Sequence, residues 1–323
     1  MIAFVARRVL QALIVMGAIA LISFVMFRYV GDPVQIMARE DASVAEREAL
    51  RAQLGLDRPI IVQFGEFVSR VAQGDLGISY RNQRPVADLI KERLPATLEL
   101  VLMATILSLA IGIPLGVITA VNRTGSFATV VQSVSLVGIS VPTFVTGIML
   151  ILVFSVTLRW LPSFGRGDTV AIGWWTTGFL TWSGLKALIL PSLTLALYQM
   201  TLIMRLVRAE MIEVLASDHV RFARARGLPT AMIHYRLALK NALMPVITIT
   251  GMQIGGLIAF AVVTETVFQW PGLGRLFIQA VSFADVPVMA AYLLLVGLLF
   301  TALNALVDIA YLVLDPRLRT RSA

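Results

Sequence analysis

Six stretches of this 323-residue chain are apolar for roughly the 20 residues that a helix needs to cross the hydrocarbon of a bilayer. They run from Val9 to Phe27, Ala96 to Val121, Phe127 to Leu158, Ala187 to Met204, Leu243 to Thr264 and Val288 to Val307. Inside lipid the backbone must satisfy its own hydrogen bonds, so each is expected to be a helix. The third is long and contains Pro142, which predicts a break or a tilt there. The first could be mistaken for a secretory leader, because Ala18-Ile19-Ala20 has the small-residue spacing of a cleavage site. That triplet lies within the apolar run rather than after it, so a retained first helix is expected.

Composition supports the same reading. The chain is 58% hydrophobic and only 14% charged, against about 45–50% and about 25% for soluble domains. Neither a soluble core nor a disordered chain accommodates those values. With no cysteine and two histidines, disulfides, thiol chemistry and Cys-ligated or His-rich metal sites are excluded. The fold class expected is therefore an all-α integral membrane protein of six transmembrane helices.

The net charge of +8 belongs to the membrane and not to nucleic acid, because Lys and Arg concentrate in short connections on one side. Residues 7–8, 123, 205–240 and 317–321 hold thirteen of them, and the opposite connections outside 31–95 hold five. The bias predicts a multi-pass membrane protein with both termini in the cytoplasm. Residues 31–95, with ten acids and nine bases, then face outward. Ser43 with Glu46 forms a capping box, Gly55 suits a helix C-cap, and Ile60, Ile61, Phe64, Phe67, Val68 and Val71 recur at helical spacing. These signals describe a small helical, water-facing subdomain. The expected organisation is an N-terminal transmembrane helix (1–30), the external subdomain (31–95), a core of five spans (96–316) and a cytoplasmic tail (317–323).

One cytoplasmic connection, 205–240, is long and carries seven bases against three acids. Ala209, Ile212, Ala216 and Val220 have helical spacing, and Asp218 stands where an N-cap would precede Val220–Arg226. Gly227 and Pro229 mark a turn, after which Ile233, Leu237 and Leu239 begin another helical stretch. Such a helix–Gly–helix unit could dock into a partner's groove, or lie on anionic headgroups as an ordinary amphipathic segment. Pattern alone leaves both open.

At this loop the sequence also becomes recognisable. Asp218-His-Val-Arg-Phe-Ala-Arg-Ala-Arg-Gly-Leu-Pro229, continuing to Leu239-Lys-Asn-Ala-Leu-Met-Pro245, resembles the permease signature of ABC importers, and more narrowly their dipeptide/oligopeptide/nickel branch. Further strings similar to that branch follow one another along nearly the whole chain. They include Gly31-Asp-Pro33, Leu54-Gly-Leu-Asp-Arg-Pro59, Arg93-Leu-Pro-Ala-Thr-Leu98, Ile139-Ser-Val-Pro-Thr-Phe144 and Trp270-Pro-Gly-Leu-Gly274. The general signature has Glu-Ala-Ala before its glycine and a proline 13 residues after it. Here Arg221, Phe222 and Ala223 stand at the triplet and Lys240 at the proline, departures that are themselves similar to the peptide/nickel branch.

The resemblance implies a type I ABC importer permease fold and a non-catalytic subunit in a bacterial cytoplasmic (inner) membrane. Its loop would be a coupling helix, with Asp218, Ala223, Arg224, Arg226, Gly227, Leu228 and Pro229 docked on a cytoplasmic ATPase. It implies a second homologous permease, two ATPase subunits that hold ATP and Mg, and an external substrate-binding protein. No cofactor would be bound by this chain itself. The transported solute would be a dipeptide, an oligopeptide or a related small molecule.

No phosphate loop, Gly-x-Ser-x-Gly or His-Glu-x-x-His motif occurs, so the chain carries no ATPase, serine hydrolase or zinc protease of its own. Gly112-x-x-x-Gly116 and Gly251-x-x-x-Gly255 have the spacing of close helix packing. Of the polar residues in spans, Gln132, Gln199 and Gln253 are the candidates to line a translocation pathway, since an amide can bond either a helix or a passing peptide group. Glu99, Glu265 and Asp308 are polar candidates too, but they lie near span ends, where reaching out to water is at least as good a reading as facing the bundle interior. Trp174, Trp175 and Trp182 suggest an interfacial belt, a short re-entrant helix or a contact with the binding protein. An ion-gradient-driven secondary transporter is the alternative, and it would call for charges at mid-span or an internal repeat.

Overall fold

A computed structural model describes residues 2–29, 34, 43–53 and 56–314. Gly55 and the 317–323 tail lie outside the described residues. Eleven helices are named here: α1 (Ile2–Tyr29), α2 (Val44–Gln53), α3 (Ile60–Ala72), α4 (Val86–Val121), α5 (Ser126–Ser140), α6 (Thr143–Leu150), α7 (Trp182–Ala216), α8 (Asp218–Ala225), α9 (Leu239–Val267), α10 (Leu273–Ser282) and α11 (Val286–Leu314). α6 runs on as a wide π-helical turn over Ile151–Thr157, and another over Met232–Ala238 leads into α9. A two-stranded antiparallel hairpin, β1 (Val170–Ile172) and β2 (Trp175–Thr177), interrupts the otherwise helical chain.

By length and apolarity α4, α7, Met232–Val267 and Val286–Val307 can each cross a membrane, and Ser126–Ser140 with Thr143–Thr157, bent by 110°, counts as a fifth if the pair is one broken span and not a re-entrant loop. The first helix adds the shorter apolar run Leu10–Met26, so the described residues are consistent with the six spans expected. The break falls at Pro142, which stands just ahead of α6 in an extended conformation. Proline cannot continue the helix before it, because its ring disfavours helical backbone in the preceding residue. Elsewhere the helices tolerate proline: Pro95 and Pro114 lie within α4, Pro191 within α7 and Pro245 within α9. Interior prolines are more frequent in membrane helices, where neighbouring groups satisfy the freed carbonyls.

Several helices outrun their expected spans. α4 begins at Val86, so the last residues of the 31–95 segment are its first turns, and Pro95 sits inside it. α7 continues to Ala216, twelve residues past the Met204 limit suggested by apolarity. Amphipathic extensions of this kind carry charge on one face and still bury the other, which an apolar window cannot see.

Small residues set how closely the spans approach. A side chain at Gly112 would meet the Met200 carbonyl at 2.9 Å, and one at Gly116 would meet Val207 Cβ at 2.6 Å and the Met204 carbonyl at 2.8 Å. The expected packing role of this pair is thus realised between α4 and α7. Gly251 and Gly255 do the same for α9 and α11, where any added Cβ would overlap Val307 and Phe300. Leu100, Ala104, Leu195, Ala196, Met200 and Ile258 then fill one core among α4, α7 and α9.

Candidate functional site

The expected coupling segment is mostly helical. Between the long helices α7 and α9, α8 is the short element that connects them. Its N-cap is Ser217 and not Asp218: Ser217 is extended (φ −68°, ψ 154°), and its carbonyl accepts from Val220 N and Arg221 N at 3.1 Å each. Asp218 is instead the first helical residue, where a carboxylate favours the positive end of the helix dipole. The two residues are adjacent and of nearly equal capping preference, so sequence pattern alone does not separate them.

The end of α8 follows from Gly227. Its φ of +76° places it in the left-handed region, where a side chain costs about 1–2 kcal/mol. Gly227 N donates to the Arg224 carbonyl at 2.9 Å and Leu228 N to the Ala223 carbonyl at 3.2 Å. Those two bonds make a Schellman motif, which closes the helix and turns the chain toward Pro229. No atom would crowd a Cβ at Gly227, so the requirement for glycine is conformational and not steric.

α8 has two faces. Val220 and Ala223 are buried in a hydrophobic cluster with Val207, Met211 and Leu215 of α7, Ile233 and Ala238 of the π-helical turn, Ala242 and Val246 of α9, and Val117 and Ala120 of α4. Ala223 therefore faces the chain's own bundle, unlike the other residues expected to dock. Asp218, Arg224, Arg226, Gly227, Leu228 and Pro229 are exposed together with Arg221, Phe222 and Tyr235. Phe222 and Tyr235, at 63% and 62% exposure, add an aromatic component that the sequence reading did not single out. Arg226 stands over the Phe222 ring at 5.7 Å. Nearby, Arg123 reaches the Ile212 carbonyl and Arg208 the Thr119 carbonyl, each at 3.3 Å, tying the α4–α5 turn to α7 at this end of the bundle.

The three candidate pathway amides lie on three helices: Gln132 on α5, Gln199 on α7 and Gln253 on α9. Gln132 is bonded to the Ala128 carbonyl of its own helix at 3.1 Å. Gln253 is partly exposed. Gln199 differs from both, being 1% exposed with neither its amide nitrogen nor its oxygen partnered. Leaving a buried donor or acceptor unpaired costs about 1–3 kcal/mol for each group.

The opposite end of the bundle holds polar machinery that was not anticipated. Glu99 and Glu265 do not reach out to water: both are buried. Glu99 forms an ion pair with Arg166 at 2.6 Å, the two side chains being 3% and 8% exposed. Arg166 also donates to Thr176 Oγ1 at 3.0 Å and to the Thr176 carbonyl at 2.6 Å, so the pair ties the hairpin to α4. Glu265 accepts from the Thr97 hydroxyl at 2.6 Å and from Arg275 N at 3.0 Å. Trp270 Nε1 donates to the Ala96 carbonyl at 2.9 Å, and Leu273 N donates to Thr97 Oγ1 at 2.8 Å. Asp285, 1% exposed, accepts from the Ser79 hydroxyl and from Tyr80 N at 3.1 Å. The Tyr80 hydroxyl is pushed up to about 12, by burial first and by the nearby Asp285 carboxylate second. It stays neutral throughout the physiological range.

The Trp segment is a hairpin and not a re-entrant helix. Trp174 and Trp175 meet edge-on at 5.4 Å, Trp182 is 73% exposed at the start of α7, and Lys186 stands over its ring at 5.4 Å. In the 31–95 segment the capping box is formed, with Ser43 N donating to Glu46 at 2.8 Å and Glu46 N to Ser43 Oγ at 3.3 Å. Ser43 N first, and the Ser43 hydroxyl second, donate to the Glu46 carboxyl and hold it below its ordinary range. Among the described residues no group of three His, Asp or Glu is placed to hold a metal ion.

Residues 112–320 match the family described as the binding-protein-dependent transport system inner membrane component, and residues 1–101 match the N-terminal family of the same membrane components. The di/tripeptide transport system permease protein DppB of Pseudomonas aeruginosa is 40% identical over 334 residues, covering 99% of each chain. The dipeptide transport system permease protein DppB of Escherichia coli is 39% identical over 336 residues, again covering 99% of each. Among solved structures, an inward-facing MetNI methionine ABC transporter aligns with a TM-score of 0.55 at 18% identity, over 68% of this chain and 93% of that one. At that identity the last likeness concerns the fold alone. The amphipathic α8 closed by Gly227, the close-packed spans and the end-to-end family match converge, and the chain belongs to the family of binding-protein-dependent transport system inner membrane components, the permeases of ABC importers.

Proposed function

We propose that this chain is one of two permease subunits of an ATP-driven importer of dipeptides or oligopeptides. Two cytoplasmic ATPase subunits supply the energy, and an external binding protein delivers the solute. The relatives named for dipeptide and di/tripeptide transport support the substrate class. Both termini and the 205–240 segment lie in the cytoplasm in this reading, residues 31–95 form the external subdomain, and residues 96–316 form the translocating core.

The observation that carries the reading is the two-faced α8. Its outer face presents Asp218, Arg221, Phe222, Arg224 and Arg226, a mixture of charge and exposed aromatic that suits a docking cleft better than hydrocarbon. Its inner face shares a core with α4, α7 and α9. A nucleotide-dependent movement of the docked ATPases would therefore be passed to these helices as a rigid-body shift, the kind of two-state element that alternating access requires. Gln132, Gln199 and Gln253 are the amides proposed for the pathway, and Gln199, buried and unpartnered, is the foremost of them.

The test is to purify the intact complex and measure its ATP hydrolysis and peptide uptake in vesicles. Gly227→Leu is expected to abolish uptake while the chain still inserts and assembles. Normal uptake by that variant would remove α8 from the coupling role. Uptake driven by an ion gradient without ATP, by the chain alone, would replace the whole reading with a secondary transporter.

A further inference from the structure

α3 presents three different faces. Phe64 and Phe67 turn inward onto Phe24 of α1, with ring centroids 5.4 Å and 5.9 Å away. Glu66, Ser69 and Arg70, followed by Gln73, form a polar side. Between these sides Ile61, Gly65, Val68 and Ala72 fall at intervals of four, three and four residues, which is one stripe of a helix. All four are exposed, Ile61 at 85%. Burying one such aliphatic side chain is worth about 1.5–3 kcal/mol, so a stripe that keeps its apolar residues outward has a partner other than water.

Its position says which partner. Phe24, against which α3 rests, lies four residues before Arg28, or about 6 Å along a helix rising 1.5 Å per residue. An amphipathic helix lying in a membrane interface immerses its apolar face by about 5–10 Å. Beside Phe24, α1 exposes Leu21, Ile22 and Val25, which lie within its apolar run Leu10–Met26. α3 reaches α1 beside these residues, through Phe64 and Phe67 on Phe24. Basic residues stand near both ends, Arg58 ahead of the helix, where it pairs with Glu66, and Arg70 in its last turn. Gln63 fixes the approach to the helix, its amide donating to the carbonyls of Leu56 at 3.1 Å and Arg58 at 2.7 Å.

We propose that α3 is an interfacial helix whose Ile61–Gly65–Val68–Ala72 face is immersed at the acyl–headgroup boundary of the leaflet remote from α8. The segment expected to face water thus rests partly on lipid. That anchors the 31–95 subdomain to the bilayer as well as to α1.

The chain has no cysteine, so a single introduced one is a unique label site within it. The variants are Ile61→Cys, Val68→Cys, Ser69→Cys and Gln73→Cys, each carrying a nitroxide. Each is assembled with partner subunits freed of cysteine and reconstituted in phosphatidylethanolamine–phosphatidylglycerol vesicles. Collision with oxygen, which concentrates in hydrocarbon, is compared with collision with a water-soluble nickel chelate. Labels at 61 and 68 are expected to favour oxygen, and labels at 69 and 73 the chelate. Chelate access at 61 and 68 equal to that at 69 would overturn the proposal in favour of a solvated face. Exclusion of both reagents would overturn it in favour of a protein partner. Two positions on the stripe are read independently, so one variant that fails to assemble leaves the other decisive.

Discussion

At the scale of single residues, three positions combine a constrained geometry with a sharp expectation. Gly227 needs its left-handed backbone and not its lack of bulk, so Gly227→Asn is expected to retain most uptake where Gly227→Leu loses it, since asparagine tolerates that conformation. Equal loss in both, measured as peptide uptake at matched expression, would mean that the turn has a role other than conformation. Arg166→Met strands the Glu99 carboxylate in a buried site and is expected to destabilise the protein by about 3–5 kcal/mol. The melting temperature in detergent should fall, and Glu99→Gln on that background should recover part of it. Gln199→Leu separates two roles for a buried amide without partners. Faster or tighter folding with normal uptake would make it a packing imperfection, whereas impaired uptake with unchanged melting would place it on the pathway.

Among elements, what was legible depended on how local the signal was. The glycine pairs of α4 and α9 carry their meaning in a four-residue spacing, and the structure uses both as expected. The capping box at Ser43 and the turn at Gly227 are equally local and equally readable. The Glu99–Arg166 pair spans 67 positions and the Ser79–Asp285 bond 206. No pattern in the chain announces such pairs, so the reading in which Glu99 and Glu265 reach for water fails: their partners come from the loop ahead of the hairpin, from α4 and from the first turn of α10. The apolar windows stop short of the helices for a different reason, namely that α4 and α7 continue as amphipathic rods, an extension that in α7 the helical spacing of Ala209, Ile212 and Ala216 does signal. Gly116→Leu tests the α4–α7 contact directly: the clash with Val207 and the Met204 carbonyl is expected to force the helices apart and lower the melting temperature. Overpacking of this kind costs about 1–3 kcal/mol.

Over the whole molecule, the count of lysine and arginine predicts which end of the bundle lies in the cytoplasm. The structure separates those ends cleanly: α8 and the α4–α5 turn gather at one, and the hairpin, α10 and α3 at the other. Single cysteines at Arg123 and Trp174 are expected to react with a membrane-impermeant reagent from opposite sides of oriented vesicles, Trp174 from the outside. Labelling of both from one side would refute the orientation. The cysteine-free background makes the experiment direct.

The embedding of Val220 and Ala223 in the core beneath α8 has a mechanical consequence. A tether slackens when its end is moved, but a short rod rooted in the same packed cluster as α4, α7 and α9 cannot. Protein interiors compress little, so a displacement imposed on α8 has nowhere to dissipate locally. α7 is 35 residues long, roughly 50 Å at 1.5 Å per residue. A tilt of about 10° at its foot would sweep its far end, where Trp182 begins the helix, through about 9 Å. The leverage is set by stiffness at the root, so loosening Val220 or Ala223 should cost stroke length before it costs stability.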